Sequence, residues 1–254
     1  MRRRCVVLAL ACLLAPCAAG AQNRASGKPS APELSAQAVI QKFVQATGGA
    51  TAYASTKSAV LKGTLSIPAQ GIQGTFEIYT REPGKFYTIQ RIQGMGDMEQ
   101  GFDGKVGWSK DPINGLRTLR GKELALLKVN ASQDSPLKWR QIYQRIEMLG
   151  VRKVNGRDAY ALRMIARGLK PITQYFDAKT FLLTRLDLTT EGPQGVLPTE
   201  SYMGDYRKVG SLKMPFKTRV RVGGIAEMVM TVTDAKVNVP VDDSLFARPG
   251  PSAK

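Results

Sequence analysis

The sequence predicts a mainly β protein with a few helices, an α+β fold in which a long antiparallel meander curls around apolar helices. Three observations lead there. Between residues 57 and 237, apolar and polar residues alternate with period two through many short segments. Turn dipeptides such as Asp103-Gly104, Asn114-Gly115 and Asn155-Gly156 separate those segments. One amphipathic helical segment precedes them and two shorter helical segments interrupt them.

The N-terminus has the three parts of an export signal. Arg2, Arg3 and Arg4 are the positive region, and Val6 to Ala15 is an apolar run too short to span a bilayer as a helix. Ala19-Gly20-Ala21 supplies small residues for cleavage after Ala21. Within this stretch, Leu14-Ala15-Pro16-Cys17 approximates a lipobox, so anchoring through an acylated Cys17 is the alternative, although Pro16 fits the pattern poorly. Residues 1–21 are thus expected to be a signal peptide, 22–31 a flexible leader, 32–248 a single domain and 249–254 a tail.

The elements of the domain follow in order. Ser30-Ala31-Pro32-Glu33 reads as a capping box with Pro in the first turn. Ala36, Val39, Ile40, Phe43, Val44 and Thr47 then form one apolar stripe of a helix over 32–47, which Gly48-Gly49 stops. Strands are expected over 57–67, 73–81, 85–92, 98–102, 105–109 and 116–119. The Leu- and Lys-containing segment 121–131 and the segment 136–143, with Trp139 and Ile142, favour short helices. Strands resume over 145–154, 158–165, 173–176, 182–189, 200–209, 216–222 and 227–237. In 216–222, Phe216, Thr218, Val220 and Val222 alternate with Lys217, Arg219 and Arg221, which means one covered and one wet face. Asp242-Asp243 is placed to cap a short turn over Ser244 to Phe246.

Composition removes most catalytic chemistry. There is no His, so Ser-His-Asp and Cys-His mechanisms are excluded. The three cysteines, Cys5, Cys12 and Cys17, all lie in the export signal, so a chain cut after Ala21 has no disulfide and no thiol. Gly94-Met95-Gly96 lacks the third glycine of a dinucleotide fingerprint, where Glu99 stands, and no nucleotide-binding P-loop or G-x-S-x-G occurs. Asp97 with Glu99 are the carboxylates a hydrolase would have to use, and they read more simply as a solvated strand face. No enzyme activity, catalytic residue, metal site or cofactor is expected.

The formal net charge is +17, and +14 without the three signal arginines. The basic residues are scattered along strands, which fits a solvated surface and leaves room for an anionic membrane or a membrane protein as partner. Nucleic acid is not expected, since no binding motif is present. A curled sheet too wide for its helices to fill keeps an apolar cavity. The residues expected to line it are Phe76, Ile78, Phe86, Trp108, Tyr160, Leu162, Met164, Leu186, Val220, Met228 and Met230. Methionines suit irregular apolar ligands.

Four segments carry a family resemblance: Gly101-Phe102-Asp103-Gly104-Lys105-Val106-Gly107-Trp108; Tyr175-Phe176-Asp177 with Leu182-Leu183; Asp205-Tyr206-Arg207-Lys208-Val209 with Lys213-Met214-Pro215; and Pro240-Val241-Asp242-Asp243-Ser244-Leu245-Phe246. With their order, the chain resembles the LolA/LolB-like lipoprotein-localisation superfamily, and more closely the exported proteins called outer-membrane lipoprotein-sorting proteins. The resemblance implies an unclosed antiparallel β-barrel of about eleven strands, wrapped around an N-terminal helix and short middle helices. It implies a periplasmic carrier or binder of a lipid or of lipoprotein acyl chains in a Gram-negative-type envelope. An envelope sensor or adaptor that binds another protein through the same fold is the alternative.

Overall fold

The computed structural model of the chain describes residues 34–131, 136–192, 195–224 and 226–250. The expected export signal, Cys17, the leader and the Ser30–Glu33 capping box lie outside these residues.

The first helix, α1 (Ala36–Ala46), begins on the first residue of the stripe, because the Ser35 hydroxyl accepts the amide of Ala38 at 3.2 Å and sets the start there. Its stripe buries Val39, Ile40 and Val44. Gly48 and Gly49 end α1, but they also start a second helix, α2 (Gly49–Ser55), that the sequence reading did not contain. Gly48 has φ +129°, and a Cβ there would stand 2.4 Å from the Ser211 carbonyl oxygen. Only glycine takes that conformation in that space.

The strands are β1 (Ser58–Ile67), β2 (Ile72–Arg81), β3 (Lys85–Ile92), β4 (Gly96–Phe102), β5 (Gly107–Asp111) and β6 (Gly115–Thr118). Then come α3 (Gly121–Ala131) and α4 (Trp139–Ile142). The second run is β7 (Tyr143–Val154), β8 (Arg157–Ala166), β9 (Ile172–Asp177), β10 (Leu183–Gly192), β11 (Gly195–Val209), β12 (Leu212–Val222) and β13 (Ala226–Val237). Among the described residues these are thirteen strands, where the resemblance implied about eleven.

All thirteen form one antiparallel sheet in the order β6-β5-β4-β3-β2-β1-β13-β12-β11-β10-β9-β8-β7. The sheet is not closed, and β6 and β7 are its edges. The first run winds outward to β6, the chain crosses through α3 and α4 to the far edge, and the second run winds back until β13 pairs with β1. This is the unclosed α+β barrel that the sequence led us to expect.

Directly opposed residues share a face. The register therefore traces one face across the sheet: Met164 opposite Ile172, Leu162 opposite Gln174, Gln174 opposite Leu186, Leu186 opposite Ser201, Ser201 opposite Val220 and Val220 opposite Met228. It continues through Met230 opposite Leu65, Leu65 opposite Gly74, Gly74 opposite Ile92 and Phe76 opposite Gln90. This is the inner face. On it, α1 packs Val39, Ile40 and Phe43 against Leu162, Met164 and Phe176, with the Phe43 and Phe176 rings 5.3 Å apart and edge to face. Further along, Leu65, Phe76 and Ile92 pack with Ile78, Met228 and Met230.

The crossover helix shows how strongly the sheet curls. α3 buries Leu127 against Phe102, with Leu124 and Phe86 alongside. A Cβ on Gly107 would come within 2.7 Å of Leu124 and 3.0 Å of Leu127. The same helix also faces Met164, Ile172 and Leu188 on β8, β9 and β10. In the sheet order, β4 and β10 stand seven strand spacings apart, which is about 34 Å on a flat sheet. An 11-residue helix is about 16 Å long. It meets both regions because the sheet bends round to bring them towards each other.

Candidate functional site

Beneath α3 lies a cavity of about 480 Å3. Lys122, Glu123, Leu126 and Val129 of α3 form one wall. Tyr143, Met164, Ala166, Ile172, Leu188 and Thr189 from β7 to β10 form the other, with Leu169 and Lys170 from the turn between β8 and β9. The wall is mostly apolar because the inner face of each strand contributes its covered residues, while the polar alternates point outward.

Of the residues named from the sequence, Met164 lines this cavity. Tyr160 and Leu162 lie on the same face beside it and pack against α1. Leu186 is on the same face, two residues before Leu188 and half-buried, and Val220 is likewise half-buried on that face. Phe76, Ile78, Met228 and Met230 belong to the packed inner cluster around Leu65, and Phe86 to the cluster beneath α3. Trp108 is elsewhere. It lies on the outer face, fully buried with Val60, Tyr87 and Ile89 beneath Val241 and Phe246 of the C-terminal segment. The period-two pattern places Leu188 on the Leu186 face. The α3 residues carry no comparable signal, since Leu124 and Leu127 turn to the sheet while Leu126 is 50% exposed at the cavity.

The polar residues of the cavity wall are Lys122, Glu123, Tyr143, Lys170 and Thr189. Glu123, in the first turn of α3, is held by Arg117 at 2.8 Å, so its charge is already matched. Lys122 has no ion-pair partner among the described residues. The Tyr143 hydroxyl makes no hydrogen bond among them either, and burial pushes its pKa up.

The outer face is a lattice of charges and tyrosines. Glu77 accepts from the Tyr79 hydroxyl, pairs with Arg91 at 2.7 Å and with Lys62 at 3.0 Å. These contacts lower its pKa to about 2, the Tyr79 hydrogen bond contributing most. Asp97 and Glu99 point to this face too. Glu99 accepts from Tyr87 at 2.9 Å and from Lys110 at 3.2 Å, and Asp97 lies 3.9 Å from Arg91. Each is engaged by cations, an arrangement that binds carboxylates in place. Arg219 and Arg221, with Arg185, surround the Tyr202 ring at 5.2, 5.5 and 5.2 Å from its centroid. Arg221 pairs with Glu227 at 2.7 Å and Arg185 with Glu200 at 2.6 Å, while Arg219 lies 3.8 Å from the same Glu227. Among the described residues no helix is long and apolar enough to cross a membrane, and no group of three or more potential metal-ligating side chains occurs.

No protein-family model matches the chain, and no curated protein matches its sequence. Solved structures do match its fold. A LolA superfamily protein from Nitrosomonas europaea aligns with a TM-score of 0.57 at 11% identity, over 84% of this chain and 98% of that one. A DUF1329 family protein from Desulfovibrio piger aligns with a TM-score of 0.55 at 13% identity, over 83% and 96%. At such identities the likeness is one of architecture: the chain shares the fold of LolA superfamily structures, a long antiparallel sheet left open and wrapped around helices.

Proposed function

We propose that the protein is an exported, periplasmic binder or carrier of an apolar ligand, an acyl chain of a lipid or lipoprotein, held in the cavity beneath α3. The observation that carries this reading is the cavity itself: about 480 Å3 of mostly apolar space between a helix and the inner face of an open sheet. The mechanism is burial without bond-making. Each methylene taken from water contributes about 0.8 kcal/mol, so one acyl chain is held firmly by its length alone. α3 is placed to act as the cover, since it crosses the opening and forms one whole wall. The reading includes residues 1–21 as the export signal, with cleavage after Ala21, and the inner-face residues around Met164 as the contact surface.

The test is to purify the chain beginning at Gln22 under native conditions, extract it with organic solvent and identify what is released by mass spectrometry. An acyl lipid near one per protein is expected, and re-adding it to the extracted protein at a hundredfold excess over its dissociation constant should add about 2.7 kcal/mol of stability. A protein that releases no lipid and gains no thermal stability from any acyl ligand would refute the reading.

A further inference from the structure

We propose that the cavity is built for a single-chain anionic amphiphile, one acyl chain with one anionic head, whose head is read by the Tyr143 hydroxyl and the Lys122 ammonium. This rests on the apolar-ligand reading above and narrows it.

Size sets the chain count. At roughly 30 Å3 for a water- or methylene-sized group, 480 Å3 holds about 16 such groups. That is about one chain of fatty-acid length within the cavity.

Charge sets the head. The wall is apolar along Met164, Ile172 and Leu188, so the chain belongs there. Its cations are Lys122 and Lys170, and the one acid among its described residues is Glu123, which is committed to Arg117. A positive head would meet the Lys122 ammonium and no available carboxylate among the described residues. An anionic head would meet Lys122, which has no ion-pair partner among the described residues. Tyr143 supplies the second contact. Tyr143 lines the same cavity, and its hydroxyl donates to no described residue. The residue is open to the cavity, where a carboxylate or phosphate oxygen can accept from the hydroxyl. A phenol of ordinary pKa is protonated at neutral pH, and burial pushes this one further up, so it stays a donor.

Displacement of Nile red from the extracted protein tests this, with palmitate, lysophosphatidylglycerol, hexadecyltrimethylammonium and dipalmitoyl phosphatidylglycerol as competitors. Palmitate is expected to compete about tenfold better than the cation, which corresponds to one charge-assisted contact. Palmitate against lysophosphatidylglycerol tells a free carboxylate from a phosphate head, and the stronger of the two identifies the source. Tyr143→Phe should weaken palmitate about fivefold, and Lys122→Glu should weaken it about fivefold while removing the preference for the anion. Lys122→Gln, a milder change on an exposed side chain, should give part of that loss. Equal potency of palmitate and the cation would overturn the charge assignment, as would unchanged palmitate affinity in all three variants. Tighter binding of the two-chain lipid would overturn the chain count. In those cases the apolar-ligand reading survives. It fails separately if Nile red is not taken up, or if no amphiphile displaces it.

Discussion

Trp108 donates its indole N–H to the backbone carbonyl of Phe246 at 3.0 Å, joining β5 to a segment 138 residues further along the chain. The contact seals the outer face where it would otherwise be apolar and wet. Trp108 lies across Gly101, its directly opposed residue on β4, where a Cβ would come within 2.3 Å of the indole. The C-terminal segment is pinned beside it by Asp243, which pairs with Lys85 at 2.6 Å and Arg81 at 2.9 Å. Asp242 caps the short turn, accepting from the Ser244 amide at 2.9 Å. Phe246→Ala should therefore cost about 3–5 kcal/mol in denaturant unfolding and red-shift the tryptophan emission. A cost below about 1 kcal/mol would mean that the segment is not part of the core.

Gly48 is the hinge between α1 and α2, and its backbone sits against Ser211 and Leu212 before β12. The neighbouring Thr47 carbonyl accepts from the Lys213 amide at 2.9 Å, so the helical pair is tied to the sheet at this point. Gly48→Ala combines a left-handed conformation with a collision against backbone. It should lower the stability by more than about 1 kcal/mol. An unchanged unfolding midpoint would contradict the close approach.

Filling the cavity separates binding from folding. Leu188→Trp enlarges a side chain that faces open space, so the strain usual for overpacking should be small. Nile red uptake should fall at least tenfold, while the unfolding midpoint stays within about 1 kcal/mol of the parent. A variant that takes up the dye as before would place the ligand elsewhere on the inner face.

The Glu77 cluster makes stability depend on acid. The folded-state pKa of Glu77 is about 2, held down by Tyr79, Arg91 and Lys62, whereas in the unfolded chain it returns to the ordinary carboxylate range. The unfolded state then binds the proton more readily. The contribution is present in full above the unfolded value and is lost as pH falls towards 2. Unfolding midpoints measured from pH 6 down to pH 2 should drop, and Glu77→Gln should flatten that slope. A slope that the substitution leaves unchanged would assign the acid sensitivity to other carboxylates.

How much of this could be read in advance differs between levels of structure. The strands were legible because each carries its own alternation. Phe216 is buried where Lys217 is exposed, and Asn155-Gly156 marks its turn with both residues at positive φ. α2 was hidden because Gly48-Gly49 looks the same whether it ends one helix or joins two, and the difference is a contact with Ser211 far along the chain. The cavity was legible as a class of feature and only partly as residues. Alternation tells which residues share a face of one strand, but not what covers that face. Trp108 and Met164 read alike in sequence, yet Trp108 is capped by Phe246 while Met164 borders open space. Which of them is filled depends on the path of α3 and of the C-terminal segment, and those paths are set by long-range packing.

The pairing of β1 with β13 sets the order in which the protein can be assembled. Ala59 pairs with Val237, so the seam at the middle of the sheet is made by the first and last strands to be synthesised. Until β13 emerges, β1 has only one strand neighbour and no strand pairing joins the two meanders. Loop closure over such a separation is slow, and it happens after the whole chain has been delivered. A chain that ends before Ala226 leaves its two halves without the strand that pairs them across the middle of the sheet.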